Sequence, residues 1–100
     1  MIPSITAKNL KSILQSNKKI LIVDVREQHE YEDFRIPDSV CIPYYSIEKR
    51  FRELPKDRLT VIVCQTGKNS KFVTLLLTEK GYQKVKNLSG GIEAWLSLTS

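Results

Sequence analysis

The segment LTVIVCQTGKNSKFVTLLL, residues 59–77, decides the fold expected for this chain. It begins with an apolar, β-branched run at 59–63, which is typical of a buried strand. It ends in a broad apolar helix face formed by Phe72, Val73, Leu75, Leu76 and Leu77. Cys64 stands where the strand ends and the helix approaches. The N-terminal amides and dipole of a helix stabilise an anion, and the thiolate is the reactive form of cysteine, so Cys64 is the candidate nucleophile.

Strands and helices alternate on both sides of this segment. Continuous apolar runs predict strands covered on both faces, and apolar residues at i, i+3, i+4 spacing predict helices between them. The predicted strands are Ile5–Thr6, Ile20–Val25, Val40–Ile42, Leu59–Val63 and Lys84–Lys86. The predicted helices carry Leu10–Leu14, Glu27–Phe34, Ile47–Leu54, Phe72–Leu77 and Ile92–Leu96, the last with Ile92, Trp95 and Leu96 facing inward. The alternation predicts one α/β domain over residues 1–100, with a parallel sheet and helices on both of its faces.

Several polar and glycine residues mark the ends of these helices. Asn17 lies near the expected end of the first helix. Ser46 has the side chain of an N-cap for the third helix. Gly81 suits a left-handed residue after the fourth helix, and Gly90-Gly91 lets the chain turn into the last one.

Length and composition indicate a globular protein. A chain of 100 residues buries roughly two-thirds of its unfolded surface, enough for one core without disulfides. Apolar residues make up 41% and charged residues 27% of the chain, a composition that argues against disorder. The net charge of +5 favours anionic substrates or acidic partner surfaces. Because acidic and basic residues are interspersed, a solvated mixed-charge surface is preferred to nucleic-acid binding as the interpretation.

Other features bear on location and cofactors. No basic region followed by an apolar stretch begins the chain, and no apolar run approaches the ~20 residues of a membrane span. We therefore expect a soluble, cytoplasmic protein without membrane contact. Cys41 and Cys64 fit free thiols in a reducing compartment, and with the single histidine they form no metal-ligand set. Neither a metal nor an organic cofactor is expected.

The helix dipole alone is too weak to ionise the candidate cysteine. A thiol with an ordinary pKa of about 8.5 is only about 3% ionised at neutral pH. Half ionisation requires roughly 2 kcal/mol, whereas a helix N-terminus supplies about 0.3–1 kcal/mol and ~2 kcal/mol in good geometry. We therefore expect contributions from the backbone amides of Gln65 to Ser70, from the hydroxyls of Thr66 and Ser70, and from the charge of Lys68. Gly67 permits the backbone angles of such a tight loop.

Asp24 and Arg26 lie at the carboxyl end of another predicted strand, as Cys64 does. Active sites of open α/β sheets lie beyond such strand ends. The two residues could act as an acid and an anion clamp, but hydrogen bonding that supports the strand end is the preferred interpretation. Cys41 is mid-strand, and we expect buried packing there rather than a resolving partner for Cys64.

The loop after residue 63 resembles the active-site loop of the rhodanese family, whose sulfurtransferases carry Cys-x-x-Gly-x-Arg-Ser. Cys64, Gly67 and Ser70 fall on that pattern at matching spacing. Further stretches similar to the family, in its order, are Val23–Arg26 with Glu30-Tyr31, Ile36-Pro37 with Ile42-Pro43, and Leu88–Trp95. The resemblance covers the chain from Ile5 onward.

This resemblance implies a rhodanese-like domain that acts as a sulfurtransferase. Cys64 would take sulfane sulfur from a small anionic donor such as thiosulfate, hold it as a persulfide, and pass it to cyanide, a thiol or a protein cysteine. The implied substrate-binding residues are Gln65, Thr66, Gly67, Lys68, Asn69 and Ser70. Asp24 and Arg26 would support the site.

Asn69 occupies the position of the family's loop arginine. An arginine fork could grip the terminal oxygens of thiosulfate at two points, whereas Asn69 donates only neutral hydrogen bonds and Lys68 is a point charge. The departure leaves open whether thiosulfate or another compound is the sulfur donor.

Two other functions stay open at this stage. A phosphatase or arsenate reductase of the same fold would need an arginine six positions after the nucleophile, where Ser70 stands. A non-catalytic interaction module that kept the fold is favoured by the missing arginine and disfavoured by the retained cysteine.

Overall fold

The computed structural model describes residues 2–16 and 18–99. Within these ranges, five strands form one sheet in the order β1-β5-β4-β2-β3, and every neighbouring pair is parallel. The strands are β1 (Ser4–Ile5), β2 (Ile20–Asp24), β3 (Val40–Cys41), β4 (Leu59–Val63) and β5 (Val85–Leu88). The helices are α1 (Ala7–Leu14), α2 (Gln28–Asp33), α3 (Ile47–Arg50), α4 (Lys68–Glu79) and α5 (Gly91–Thr99), with 3-10 turns at Tyr44–Ser46 and Phe51–Glu53. None of these helices is long and apolar enough to cross a membrane.

Each face of the sheet carries its own apolar core, because the central strands are apolar on both sides. In β4, Ile62 lies in a core with Val73 and Leu77 of α4, and this core also contains residues of α3. Its neighbour Val61 points to the opposite face and lies in a second core with Trp95 of α5 and residues of α1. The predicted parallel α/β sheet with helices on both faces is therefore confirmed, as is the burial of Trp95.

The register of the strands brings their carboxyl ends to one edge of the sheet. Asp24 of β2 pairs with Val63 of β4 and with Cys41 of β3, and Asn87 of β5 pairs with Ile62. The segments that follow β2, β3, β4 and β5 consequently meet at this edge. It is the edge at which a parallel sheet of this kind binds its ligands.

Of the residues predicted to end or begin helices, Gly81 behaves as predicted and Ser46 does not. Ser46 makes no cap hydrogen bond with its side chain, contrary to prediction. Its amide donates to the carbonyl of Pro43 in a 3-10 turn, so its backbone is already helical rather than extended as at an ordinary N-cap. Gly81 has φ +95° and confirms the predicted left-handed residue after α4. Asn17, the expected end of the first helix, lies outside the described residues.

Two predicted apolar helix faces are narrower in the structure. Phe72 and Leu75 are 55% and 41% exposed, and Leu96 is 39% exposed. A helix lying on a sheet presents a single stripe to it, here Val73 and Leu77 on α4, and the residues on either side of that stripe turn toward solvent. The inward orientation predicted for Leu96 is therefore wrong.

The bounds of β1 and β5 differ from prediction by one or two residues. The first strand ends at Ile5 because the side chain of Thr6 accepts a hydrogen bond from the amide of Asn9 and caps α1. The fifth strand continues to Leu88, beyond the predicted end at Lys86, because Leu88 pairs with Ile5. Pairing with neighbours, which no local pattern reports, sets both boundaries.

We predict that Tyr82→Phe destabilises the fold by about 1–2 kcal/mol at pH 7. Tyr82 is buried, and its hydroxyl lies 2.8 Å and 2.7 Å from the carbonyl oxygens of Phe51 and Leu54. Burial raises the pKa of Tyr82, so its contribution to stability is present below about pH 10 and is lost as pH rises above that value. Urea unfolding of both proteins at pH 7 and at higher pH measures the difference.

Tyr45→Phe is the matched control, because Tyr45 is 77% exposed. It should leave the unfolding midpoint unchanged. A difference between wild type and Tyr82→Phe that does not shrink above about pH 10 would contradict the assignment.

Candidate active site

Cys64 follows β4 directly and is only 4% exposed. Its sulfur lies 3.1 Å from the amide nitrogen of Gly67, 3.3 Å from the amide nitrogen of Ser70, and 3.2 Å from the Ser70 hydroxyl. A buried sulfur surrounded by donors from one short loop is an arrangement that stabilises negative charge on that atom.

The sulfur replaces the usual side-chain cap at the start of α4. Gly67 is the N-cap residue, has φ +93°, and carries no side chain that could accept a hydrogen bond. Ser70 is the third residue of the helix, and its amide has no acceptor within the helix. Cys64 Sγ accepts from it instead. The contact that completes the helix therefore also places the sulfur at its positive end.

Ser70 connects the sulfur to a buried amide side chain on β5. The Ser70 hydroxyl donates to Oδ1 of Asn87, and both residues are fully buried. A hydroxyl has a single hydrogen, so while Asn87 accepts it, the Cys64 thiol can donate to Ser70 Oγ. An anionic sulfur has no hydrogen to donate and would draw the Ser70 hydrogen to itself. The direction of this hydrogen-bonded chain thus follows the charge on the sulfur.

The N-terminus of α5 holds the other side of the loop. The amide of Ile92 donates to the carbonyl of Cys64 at 2.9 Å, and the amide of Glu93 donates to the carbonyl of Gln65 at 3.1 Å. Gly91 makes this approach possible, since a Cβ on it would lie 2.3 Å from the Cys64 carbonyl oxygen. The first-turn amides of α5, which lack partners within the helix, are satisfied by the loop.

Asp24 and Arg26 form a buried ion pair beside the loop. The Arg26 guanidinium contacts both Asp24 oxygens, at distances from 2.8 to 3.1 Å, and also donates to the carbonyl of Phe34 at the end of α2. The side chains are 6% and 1% exposed. The charge of Arg26 is therefore neutralised by Asp24 within the fold.

A cavity of about 460 Å³ opens beside Cys64. Gln65, Thr66, Lys68 and Asn69 line it together with Cys64. The structure thus separates the predicted loop residues into two groups. Gly67 and Ser70 contact the sulfur, while the other four line the space in front of it, and the Thr66 hydroxyl makes no hydrogen bond to the sulfur.

Part of the cavity wall was not anticipated from the sequence. Glu27 and Glu30, at the start of α2, and Tyr44 and Tyr45, after β3, also line it. In the sequence, the exposed tyrosines belong to no periodic apolar pattern, and the glutamates are typical of the polar face of a short helix. Among the described residues, no group of three or more His, Cys, Asp or Glu side chains could hold a metal ion.

Asn87 and Gly91 were also not assigned to the site. The alternation of Val85 inward, Lys86 outward and Asn87 inward was a signal for a buried polar side chain on β5. The predicted strand ended one residue too early to include it. The sequence predicts only a turn at Gly90-Gly91. The close approach of Gly91 to the Cys64 carbonyl is a contact between segments far apart in the chain.

Cys41 differs in environment from Cys64, and both are free thiols. Cys41 is half-buried at the end of β3 rather than fully buried as predicted, and its sulfur lies 3.7 Å from the carbonyl oxygen of Arg26. Burial, followed by the nearby carboxylate of Asp24, raises the pKa of the Cys41 thiol. Cys41 is therefore protonated at neutral pH and is a poor nucleophile.

Comparison with known proteins places this geometry in a family. A family model described as a rhodanese-like domain matches residues 6–98. A sulfurtransferase of Allochromatium vinosum is 38% identical over 95 residues, which cover 95% of this chain and 89% of that protein. A thiosulfate sulfurtransferase of Pseudomonas syringae is 36% identical over 75% of this chain and 71% of its own length.

Solved structures agree with the sequence relatives. A rhodanese-like domain protein from Staphylococcus aureus superimposes with a TM-score of 0.88 at 34% identity, covering 94% of this chain and 91% of that one. Some relatives are longer proteins, and the chain spans about half, 53%, of one of them.

We predict that Gly91→Ala destabilises the protein more than Gly81→Ala, by at least about 2 kcal/mol. Both glycines have positive φ, so both alanines are strained by a similar amount. An added Cβ at position 91 would lie within 3.0 Å of backbone atoms of Cys64 and Gln65, whereas at position 81 it meets only the flexible end of Lys56 at 3.2 Å. Urea unfolding of the two variants measures the difference, and equal midpoints would contradict the close contact.

Proposed function

The chain belongs to the rhodanese-like sulfurtransferase family, and we propose that it transfers sulfane sulfur through a persulfide on Cys64. The observation that carries this proposal is the position of the Cys64 sulfur. It is buried, it accepts from the amides of Gly67 and Ser70 at the N-terminus of α4, and it borders a cavity. These contacts favour an anionic sulfur, first as thiolate and then as persulfide.

The reaction has two steps and uses no redox partner. The Cys64 thiolate attacks the outer sulfur of a donor such as thiosulfate, a new S–S bond forms, and sulfite leaves with the electron pair of the broken S–S bond. An acceptor, such as cyanide, a small thiol or a protein cysteine, then attacks the outer sulfur of the persulfide and releases the Cys64 thiolate. This is ping-pong covalent catalysis. In the persulfide state, the cavity of about 460 Å³ offers room for the added sulfur.

The roles of the loop follow from the contacts. Gly67 and Ser70 hold the sulfur, and we assign donor binding to the four residues that line the cavity, Gln65, Thr66, Lys68 and Asn69. Lys68 is exposed and forms no ion pair in the described part of the chain, so its charge is available to an anionic donor. Asp24 and Arg26 act as supporting residues because their charges satisfy each other. Free thiols at Cys41 and Cys64 fit a reducing compartment such as the cytoplasm.

The contacts of Ser70 favour sulfur chemistry over phosphate chemistry. A phosphatase of this loop type would use an arginine six positions after the nucleophile, where Ser70 stands. The Ser70 side chain is fully buried and donates a hydrogen bond to Asn87. Position 70 therefore carries no charged group that could neutralise a phosphate.

We predict that incubation with thiosulfate or a thiosulfonate increases the intact mass of the protein by one sulfur, about 32 Da. Cys64→Ser should abolish the increase, because serine cannot form a persulfide. Cys41→Ser should retain it, because Cys41 lies outside the cavity lining. Subsequent cyanide should restore the original mass and release thiocyanate. The proposal fails if no sulfur donor loads the wild-type protein.

We predict that Asn69→Arg raises kcat/KM for thiosulfate about 10-fold. The asparagine lines the cavity and is exposed, so an arginine there has room to present its fork to the donor's oxygens. A charge-assisted, bidentate contact stabilises a bound anion by about 1.4 kcal/mol more than a neutral amide, which corresponds to that factor. Steady-state thiocyanate formation measures the effect.

Gln83→Arg controls for total charge, because it adds the same charge at an exposed position before β5, at the opposite edge of the sheet. It should leave kcat/KM unchanged. An equal increase in both variants would mean that long-range attraction, rather than contact at position 69, limits the use of thiosulfate.

A further inference from the structure

The charges around the cavity do not match a dianionic donor. The cavity is lined by two basic residues, Arg26 and Lys68, and by two acidic residues, Glu27 and Glu30. Arg26 is already neutralised by Asp24, which it contacts through a two-point fork. One ammonium group therefore faces two carboxylates, although the chain as a whole carries a net charge of +5.

The two carboxylates are held in place by the fold. The amide of Glu27 donates to the carboxylate of Glu30 at 3.2 Å, and the side chain of Glu27 accepts from the backbone amide of Glu30. This capping box restrains both side chains at the start of α2, with the Glu27 side chain 66% exposed. The nearest basic group is His29, whose Nδ1 lies 3.3 Å from Glu27 and whose side chain is 73% exposed.

The cavity residues that follow β4 offer a different set of contacts. Lys68 supplies one positive charge near the Cys64 sulfur, and Asn69 supplies neutral hydrogen bonds. An anionic sulfur group fits this side of the cavity, whereas a second negative charge on the donor would approach Glu27 and Glu30. A positive charge on the donor would be attracted there.

We propose that the preferred donor is a small sulfane-sulfur anion that also carries an ammonium group. The ammonium group binds at Glu27 and Glu30, and the sulfur group lies between Lys68 and Cys64. This assignment rests on the proposed sulfurtransferase function and specifies the donor class for the same site. Two compound types share the chemistry, namely aminoalkyl thiosulfonates and the hydropersulfides of amino thiols.

Both donor types react with balanced atoms and electrons. With a thiosulfonate, the Cys64 thiolate attacks the outer sulfur, the S–S bond to the sulfonyl group breaks, and a sulfinate leaves with the electron pair. With a hydropersulfide, the same attack expels a thiolate that takes up the hydropersulfide proton. In each case the product is the Cys64 persulfide anion, and no oxidant or reductant is consumed.

Each arm of the test compares a donor that carries an ammonium group with an analogue that has the same reacting group and lacks the ammonium group. The thiosulfonate arm uses 2-aminoethanethiosulfonate, ethanethiosulfonate and thiosulfate, with cyanide as acceptor. The hydropersulfide arm compares cysteine hydropersulfide with its N-acetyl derivative, which lacks the ammonium group. We expect the ammonium group to raise kcat/KM by about 2- to 5-fold for each carboxylate it faces, and the preference to weaken at high salt.

The variants Glu27→Gln, Glu30→Gln and the double variant remove the charges and keep a side-chain oxygen that can accept a hydrogen bond at each position. The double variant should reduce the preference for 2-aminoethanethiosulfonate over ethanethiosulfonate to about 2-fold or less. Glu79→Gln is the matched control, because it removes one exposed carboxylate at the far end of α4 and should preserve the preference. Unfolding midpoints near that of the wild type verify that the variants are folded.

The outcomes separate this inference from the proposed function. Equal kcat/KM values for the amino and unsubstituted thiosulfonates, or a preference in the double variant as large as in the wild type, overturn the assignment of an ammonium-bearing donor. Either result leaves the persulfide mechanism intact. Failure of every donor to load Cys64 overturns the sulfurtransferase proposal itself. A preference confined to one arm identifies the source of the ammonium-bearing donor and supports the assignment.

Discussion

The N-termini of α4 and α5 both donate hydrogen bonds to Cys64, and the structure depends on how this one residue satisfies both helices. Its sulfur accepts from the N-terminal amides of α4, and its carbonyl oxygen accepts from the first turn of α5. A buried amide without a partner costs about 1–3 kcal/mol, so these contacts are conditions of the fold. The position of the Cys64 sulfur is consequently fixed by the same hydrogen bonds that complete the first turns of the two helices.

Groups other than the helix dipole also act on the Cys64 sulfur in the folded protein. The dipole of α4 acts together with two amides and one hydroxyl that lie within 3.3 Å of the sulfur. Asn87 keeps the hydroxyl of Ser70 at this position from the neighbouring strand. The surroundings of the sulfur are therefore built by the loop, by α4 and by β5 together.

Charge acts on two length scales in this molecule. The net charge of +5 attracts anions toward the protein within the Debye length of about 10 Å. At the cavity, the charges lie on a few groups: Arg26 is neutralised by Asp24, and Lys68, Glu27 and Glu30 line the cavity with it. The groups that line the cavity are thus more acidic than basic, although the whole chain is basic.

Local patterns in the sequence predict the strands and the helices and single out Cys64 as the candidate nucleophile. Continuous apolar runs mark β2 and β4, glycine at position 81 marks a left-handed residue, and the cysteine between a strand and a helix marks the loop. Other features of the site depend on tertiary contacts. The link from Ser70 to Asn87, the approach of Gly91 to the Cys64 carbonyl and the place of Glu27 in the cavity wall all involve residues far apart in the chain. Such contacts follow from strand register and packing, which bring distant segments to one edge of the sheet and leave no periodic trace in the sequence.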